Sequence, residues 1–130
     1  MAERVRVLAA VICRNDRYLL ALRPAGKRHA GYWEFPGGKV EPDERDIDAM
    51  ARELREELGV TLHALGQERG AFRDGESEFE ITFIDVTIIG EPSALEHAAL
   101  AWVAVHEFGA YTLAPSDAEC ARLIAQSTGA

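Results

Sequence analysis

The chain has 130 residues, of which 48% are hydrophobic and 28% charged, and its formal net charge is −8. This length suits a single domain over residues 1–130 with a substantial core, and the composition excludes wholesale disorder. The acidic balance argues against binding of long DNA or RNA, because such binding depends on clustered Lys and Arg.

The chain begins with two predicted strands. Val5 to Ile12 is rich in apolar residues, Asn15-Asp16 supplies a turn, and Tyr18 to Leu22 returns as a second strand, which predicts a hairpin. Charges interrupt the apolar run near the N-terminus, so it is better interpreted as a strand than as a secretory or membrane segment. We therefore expect a cytoplasmic protein that does not engage a membrane.

A glycine-rich loop follows a short predicted strand, Trp33 to Phe35, and leads into a helix that should end at Gly59. Gly37 and Gly38 let the backbone approach a ligand closely, and Lys39 offers a point charge for phosphate. By itself, such a loop is more often a plain turn.

The predicted helix carries an acidic face. Glu53, Glu56 and Glu57 fall within an arc of about 100° at 3.6 residues per turn. An apolar set lies on roughly the opposite side: Ile47, Met50, Ala51, Leu54 and Leu58. Like charges at these spacings destabilise a helix by roughly 0.2–0.5 kcal/mol per pair. Either a bound cation such as Mg²⁺ offsets this repulsion, or the face is solvated and Arg52 pairs with Glu56.

The second half mixes strands and a helix. Residues 70–78 are interpreted as a surface loop, and Phe79–Ile89 and Ala99–Val105 as strands. Ser116 and Glu119 have the spacing of a capping box that would begin a C-terminal helix.

Two residue types receive no chemical role from the sequence. Cys13 and Cys120 lack the spacing of metal ligands and are predicted to be buried free thiols. The histidines are scattered and are treated as structural: His29, His63, His97 and His106.

The loop and helix together resemble the Nudix family. The box GX5EX7REUXEEXGU is matched at every specified position, by Gly38, Glu44, Arg52, Glu53, Leu54, Glu56, Glu57, Gly59 and Val60. WEFPGGKVE, LLALRP, Glu96, Trp102 and LAPSD extend the resemblance to the MutT-type branch. The resemblance implies an α/β fold, an alpha/beta/alpha sandwich around a mixed β-sheet.

The resemblance also implies a metal centre. Gly38, through its carbonyl, and Glu53, Glu56 and Glu57 would hold Mg²⁺, for which Mn²⁺ is a substitute. Glu53 is the expected general base, Arg52 would orient a catalytic carboxylate, and Glu44 would fix loop to helix. Glu96 is either an additional ligand or base, or a solvated loop residue.

In MutT-type relatives the nucleobase occupies a pocket to which Arg23, Phe35, Phe83 and Asp117 correspond. The aromatic rings would stack on a base or belong to the core, and Arg23 would bind substrate or be an exposed strand-end charge. Asp117 departs from the asparagine common in 8-oxo-dGTP-cleaving enzymes. An acceptor there suits the cytosine amino group and also the N–H groups of 8-oxoguanine, although Asp117 would equally favour a helix start.

The expected function is Mg²⁺-dependent hydrolysis of a nucleoside triphosphate to monophosphate and diphosphate, with oxidised dGTP or a cytidine nucleotide as leading substrates. The alternatives are cleavage of ADP-ribose or a dinucleoside polyphosphate, or a sensor that binds nucleotide without turnover. The partner is thus a small-molecule nucleotide rather than long nucleic acid. The family also admits a homodimer, and no residue decides the oligomeric state.

Overall fold

The computed structural model describes residues 5–27, 29–73 and 78–128. The elements within these ranges are eight strands, two α-helices and one 3-10 helix. In chain order they are β1 (Val5–Val11), β2 (Cys13–Arg14), β3 (Arg17–Leu22), β4 (Trp33–Glu34), β5 (Gly37–Lys39), α1 (Asp46–Leu58), β6 (Thr61–Arg73), β7 (Phe79–Ile89), β8 (Ala99–Ala104), the 3-10 helix (Val105–Ala110) and α2 (Pro115–Thr128).

The strands form two sheets. In the first, the order is β5-β1-β7-β6, with β1 parallel to β7 and the other two pairs antiparallel. In the second, β8 pairs along the whole of β3, while β2 and β4 pair with its two ends. The first sheet is therefore mixed and the second antiparallel.

Strand β1 separates two hydrophobic cores. Leu8 and Ala10 contribute to a core with Met50 and Leu54 of α1. Ala9 contributes to a second core, on the other face, that contains Cys120, Ala121 and Ile124 of α2. Successive side chains of a strand point to opposite faces, so a strand covered on both faces is apolar throughout. This arrangement confirms the expected alpha/beta/alpha sandwich around a mixed sheet.

Helix α1 follows the sequence pattern closely. Met50, Leu54 and Leu58 are fully buried, although Ile47 in the first turn is 45% exposed. The helix ends as predicted at Gly59, which has a left-handed φ of 70° and donates its N–H to the carbonyl of Arg55.

The predicted hairpin of the two N-terminal strands is wrong in its pairing. Asn15 and Asp16 do form a tight turn with positive φ values of 50° and 62°. The strand that pairs with β3 across this turn is the two-residue β2, because both edges of β1 are already occupied by β5 and β7.

Strand β6 was not predicted from the sequence. It spans Thr61–Arg73 and pairs with β7, with register shifts at three places that disrupt the period-two pattern of a regular strand. Residues 70–73 of the predicted surface loop therefore belong to β6, while residues 74–77 lie outside the described residues.

The C-terminal helix is present, but its predicted start is wrong. α2 begins at Pro115, whose missing N–H suits the first helical position, and Ser116 is buried within the first turn. Of the two thiols predicted to be buried, Cys120 is buried and Cys13 is exposed. None of the helices in the described part of the chain is long and apolar enough to cross a membrane.

Candidate active site

The acidic face of α1 is divided between the interior and solvent. The side chains of Glu53 and Glu57 are only 14% and 12% exposed, whereas that of Glu56 is 53% exposed. Two of the three carboxylates therefore lie in an environment of reduced polarity, where charge must be balanced locally.

Arg52 ties the loop to the helix. Its Nε and Nη2 atoms each donate to a different carboxylate oxygen of Glu44 at 2.9 Å, and its Nη1 donates to Glu53 at 2.8 Å. Nη2 also donates to the carbonyl of Lys39 at 3.0 Å. The pairing of Arg52 with Glu56 is longer, at 3.6 Å. The geometry thus directs this guanidinium mainly to Glu44 and Glu53.

Glu44 is held as a carboxylate in this arrangement. The hydrogen bonds from Arg52, followed by one from the backbone N–H of Glu41, lower the pKa of Glu44 to about 2. A charge-assisted, bidentate pair of this kind fixes both orientation and protonation state.

Glu57 is in the opposite electrostatic situation. Burial, and then the neighbouring Glu53 and Glu34, raise the pKa of Glu57 to about 9, although the N–H of Gly37 donates to it at 3.3 Å. A bound cation would reverse this balance, because it favours the ionised form of every carboxylate near it.

Gly37 and Gly38 were predicted to lie in a loop, but they belong to strand β5, where they allow close backbone approach. A Cβ at Gly38 would collide with the carboxylate of Glu53, and a Cβ at Gly37 would collide with the carbonyl of Leu8 in β1. The Gly38 backbone can therefore pack directly against the buried acidic group.

The donor set fits a hard divalent cation. Glu53 and Glu57 are largely shielded oxygen donors, and the Gly38 backbone lies against Glu53. Burial, and then the nearby charge of Glu53, raise the pKa of Glu57. Within residues 5–27, 29–73 and 78–128, however, no three acidic, His or Cys side chains already converge as a preformed metal cluster. Glu53 instead faces Arg52, and Glu57 faces the N–H of Gly37.

A cavity of about 330 Å³ opens on the other side of the site. It is lined by Gly37, Gly38 and Lys39 of β5, and by Arg23, His29, Glu34, Phe35 and Asp117, among others. We call Gly38, Glu53 and Glu57 the carboxylate end of the site, and Arg23, Phe35 and Asp117 the Asp117 end. Gly37 and Gly38 of β5 join the two ends, because they line the cavity and lie against Glu57 and Glu53, respectively.

Asp117 is held in the first turn of α2. It is 5% exposed and accepts a hydrogen bond from the backbone N–H of Phe35 at 2.8 Å. Burial raises the pKa of Asp117 to about 8, against the opposing effects of this hydrogen bond and of the nearby Arg23. Arg23 itself donates to Glu34 at 2.7 Å.

Of the two aromatic residues expected in the substrate pocket, the structure places only Phe35 on the cavity. Phe83 is fully buried, with its ring edge-on to those of Phe35 and Phe72 at 5.8 and 5.9 Å. The assignment of Phe83 to substrate is thereby corrected. Phe79 and Ile81, on the same face of β7 but nearer its start, line the cavity instead.

Lys39 and Glu96 are both exposed. Lys39 lines the cavity, with its Nζ 5.1 Å from the centre of the Phe79 ring. Glu96 lies on the segment that leads into β8, and it is the next residue, His97, whose ring lies against Glu34 and Glu57.

Three residues near the site received no role from the sequence. Glu34 accepts hydrogen bonds from Arg23 and contacts His97 at 2.9 Å, while His29 lines the cavity. For Glu34, the available signal was a carboxylate on a short strand directly before the glycine loop. The two histidines had no comparable pattern, because their neighbours come from distant parts of the chain.

Comparison with known proteins agrees with this geometry. A model of the NUDIX domain matches residues 3–124. The CTP pyrophosphohydrolase of Escherichia coli strain K12 is 44% identical over 119 residues, covering 88% of this chain and 87% of that protein. The 8-oxo-dGTP diphosphatase of Haemophilus influenzae is 36% identical over 123 residues, covering 92% of this chain and 90% of that protein.

A solved structure shows the same architecture. The crystal structure of a MutT NUDIX hydrolase from Burkholderia pseudomallei has a TM-score of 0.79 at 27% identity, covering 95% of this chain and 99% of that one. Family model, relatives and fold therefore agree, and the chain belongs to the MutT-type branch of the Nudix hydrolase family.

Proposed function

We propose that this protein is a Mg²⁺-dependent pyrophosphohydrolase that cleaves a nucleoside triphosphate into a nucleoside monophosphate and diphosphate. The observation that carries the proposal is the Gly37-Gly38 pair of β5, which lies against Glu53 and Glu57 and also lines a cavity with aromatic and polar walls. A diphosphate group and a nucleobase are the two chemistries that such a site accommodates together.

Nudix hydrolases generally use divalent metal ions, and this chain offers oxygen donors for one. Glu53, Glu56 and Glu57, with the Gly38 carbonyl, are the proposed ligands. When bound, Mg²⁺ neutralises phosphate charge and lowers the pKa of coordinated water. Mn²⁺ should substitute for it.

The protein's own groups have separate proposed tasks. Glu53 is the proposed general base, and Arg52 orients it through the 2.8 Å contact from Nη1. Glu44 holds Arg52 in turn, through the two 2.9 Å hydrogen bonds. Lys39, at the cavity, would attract the phosphate chain as a point charge. Glu96 remains proposed as an additional ligand or base.

For the nucleobase we propose cytosine first and oxidised guanine second. The 44% identical relative is named for CTP, and the 36% identical relative for 8-oxo-dGTP. Arg23, Phe35 and Asp117 would receive the base. The raised pKa favours a protonated Asp117, whose O–H donates one hydrogen bond while its carboxyl group accepts another, which suits the adjacent acceptor and amino group of cytosine.

Substrate panels provide the test. We would incubate the purified protein with Mg²⁺ and 8-oxo-dGTP, dGTP, CTP, dCTP, 5-methyl-dCTP or ADP-ribose, and follow the products by chromatography. We expect Mg²⁺-dependent release of a nucleoside monophosphate and diphosphate, with a preference for a cytidine nucleotide.

Two results would contradict the proposal. Preference for ADP-ribose would identify a different diphosphate substrate, and nucleotide-induced thermal stabilisation without any product would identify a sensor.

A single domain over residues 1–130, a cytoplasmic location and a homodimer stay predictions.

A further inference from the structure

The segment before β8, residues 93–98, forms backbone hydrogen bonds near both ends of the site. The N–H groups of Ser93 and Leu95 donate to the carbonyls of Leu58 and Glu57, at the end of α1, at 2.9 and 3.1 Å. The N–H of Ala98 donates to the carbonyl of Leu22, the residue before Arg23, at 2.9 Å. This segment therefore spans from the carboxylate end to the Asp117 end.

His97 lies inside this span, and its side chain is 6% exposed. Its Nε2 is 2.9 Å from one carboxylate oxygen of Glu34, whose other oxygen accepts from Arg23 at 2.7 Å. Its Nδ1 faces Glu57, at 3.9 Å from Oε1. The side chains of Arg23, Glu34, His97 and Glu57 thus form a continuous series across the site.

The Nδ1 atom of His97 is buried and, among the described residues, has no hydrogen-bond partner. A buried polar atom without a hydrogen-bond partner is uncommon and lowers the free energy of unfolding, so a functional role is a natural explanation for it. Here the atom points to the carboxylate that we propose as a metal ligand, and the opposite ring nitrogen is already committed to Glu34.

We propose that His97 is a positioning residue that couples the two ends of the site by fixing Glu34 and Glu57 relative to each other. The inference rests on the proposed function, since it assumes that Glu57 binds metal. The imidazole ring is rigid and lies between Glu34, 2.9 Å from Nε2, and Glu57, 3.9 Å from Nδ1, so it sets their separation and transmits displacement of either carboxylate to the other. His97 does not line the cavity, and its proposed role is only to position these two carboxylates.

Three substitutions separate the two contacts of the ring. His97→Ala removes both. The amide nitrogen of His97→Gln falls near the place of Nε2 and can still contact Glu34, whereas that of His97→Asn falls near the place of Nδ1 and can reach toward Glu57. His106→Ala is the matched control, because His106 is an exposed histidine of the 3-10 helix.

Two readouts report on the two ends. The dissociation constant of Mn²⁺ without nucleotide, measured by electron paramagnetic resonance, reports on the carboxylate end. The ratio of kcat/KM between CTP and 8-oxo-dGTP reports on the Asp117 end. For His97→Ala we expect weaker Mn²⁺ binding by about 10- to 100-fold, the usual effect of losing a partner of a metal ligand, together with a reduced substrate ratio.

The conservative variants should separate these effects. We expect His97→Gln to retain more of the substrate ratio and His97→Asn to retain more of the Mn²⁺ affinity. His97→Ala that matches His106→Ala in both readouts, or that changes only one end, would overturn the coupling. If wild-type protein neither binds Mn²⁺ nor turns over nucleotide, the proposed function fails instead.

A measurement on the unaltered protein covers the case in which the variants do not fold. The ¹⁵N resonances of the His97 ring should shift both on addition of Mg²⁺ and on addition of cytidine monophosphate, while those of His106 stay in place. His97 resonances that respond to neither addition, or to only one, would contradict the inference.

Discussion

Glu44 and Asp117 are both acidic residues of the same site, yet their surroundings shift their pKa values in opposite directions. Glu44, near the carboxylate end, accepts two hydrogen bonds from Arg52, which hold its pKa at about 2. Asp117 is buried and accepts from the N–H of Phe35, and its pKa is raised to about 8. The guanidinium beside Glu44 favours the ionised carboxylate, whereas burial of Asp117 favours the neutral carboxyl group.

The comparison assigns different properties to these two positions. The Glu44–Arg52 pair keeps both of its charges across the physiological pH range, because each partner shifts the pKa of the other away from neutrality. At Asp117, charge changes near neutral pH, so hydrogen bonding to a base can change from donor to acceptor. Four substitutions test this contrast, from the largest expected effect to the smallest.

The largest effect should come from Glu53→Gln, which removes the proposed general base while preserving the size of the side chain. We expect kcat to fall by about 10²- to 10⁴-fold, the usual contribution of a positioned acid or base, with an unchanged circular dichroism spectrum. Glu68→Gln, on the exposed part of β6, is the control. Near-normal turnover in Glu53→Gln would remove Glu53 from the mechanism.

Arg52→Met should remove the ion pair between Arg52 and Glu44. Without the guanidinium, Glu44 and Glu53 lose their common partner, so we expect the pKa of Glu44 to rise toward its ordinary value and activity to fall by about 10- to 100-fold. Arg55→Met, at an exposed position of the same helix, should leave activity unchanged. Steady-state kinetics and a carboxyl ¹³C titration would check both expectations.

Asp117→Asn should remove a pH dependence of stability. The folded pKa of about 8 exceeds the ordinary value of 3.8, so between these pH values the folded state binds more protons than the unfolded state. Wild-type stability should therefore fall as pH rises through this window. The variant keeps an acceptor for the Phe35 N–H but cannot ionise, so its stability should fall less.

Urea unfolding in EDTA between about pH 5 and about pH 8 would measure this difference. Glu57 has a pKa raised in the same direction, but it is present in both proteins, so the difference between them isolates Asp117. Parallel pH profiles of wild type and variant would show that Asp117 is ionised in the folded protein.

The smallest effect is expected from Gly59→Ala, which changes the helix of the carboxylate end without touching its charges. Gly59 has a φ of 70°, a conformation that costs other residues about 1–2 kcal/mol, so the free energy of unfolding should fall by that amount with kcat unchanged. Gly109→Ala, with open space around the added Cβ, is the control. A loss of activity would link the helix end to catalysis.

The two ends also differ in how much the sequence could predict. The helix from Asp46 to Leu58, its stop at Gly59 and the pattern from Gly38 to Val60 are contiguous, so periodicity and spacing were sufficient. The cavity required the relative positions of β1, β4, β5, β7 and α2. Approximate alignment therefore placed Phe83 in the pocket, although the cavity lies against Phe79 and Ile81, nearer the start of the same face of β7.

The features that were not predicted, β6 and the role of His97, both depend on residues that are distant in the sequence. β6 lies at a sheet edge, and its register shifts break the alternation by which a strand is recognised. No sequence pattern marks His97 as a site residue. Its contacts form only when hydrogen bonds to β3 and to the end of α1 position its segment.

The parallel pairing of β1 with β7 has a consequence for biosynthesis. Val5 pairs with Phe79, so the apolar strand β1 is synthesised well before its long parallel partner β7 exists. Contacts so distant in sequence form slowly, and an unpaired apolar strand invites aggregation. We expect nascent chains that stop before β7 to remain protease-sensitive and to depend on chaperones, and those that extend beyond α2 to become resistant.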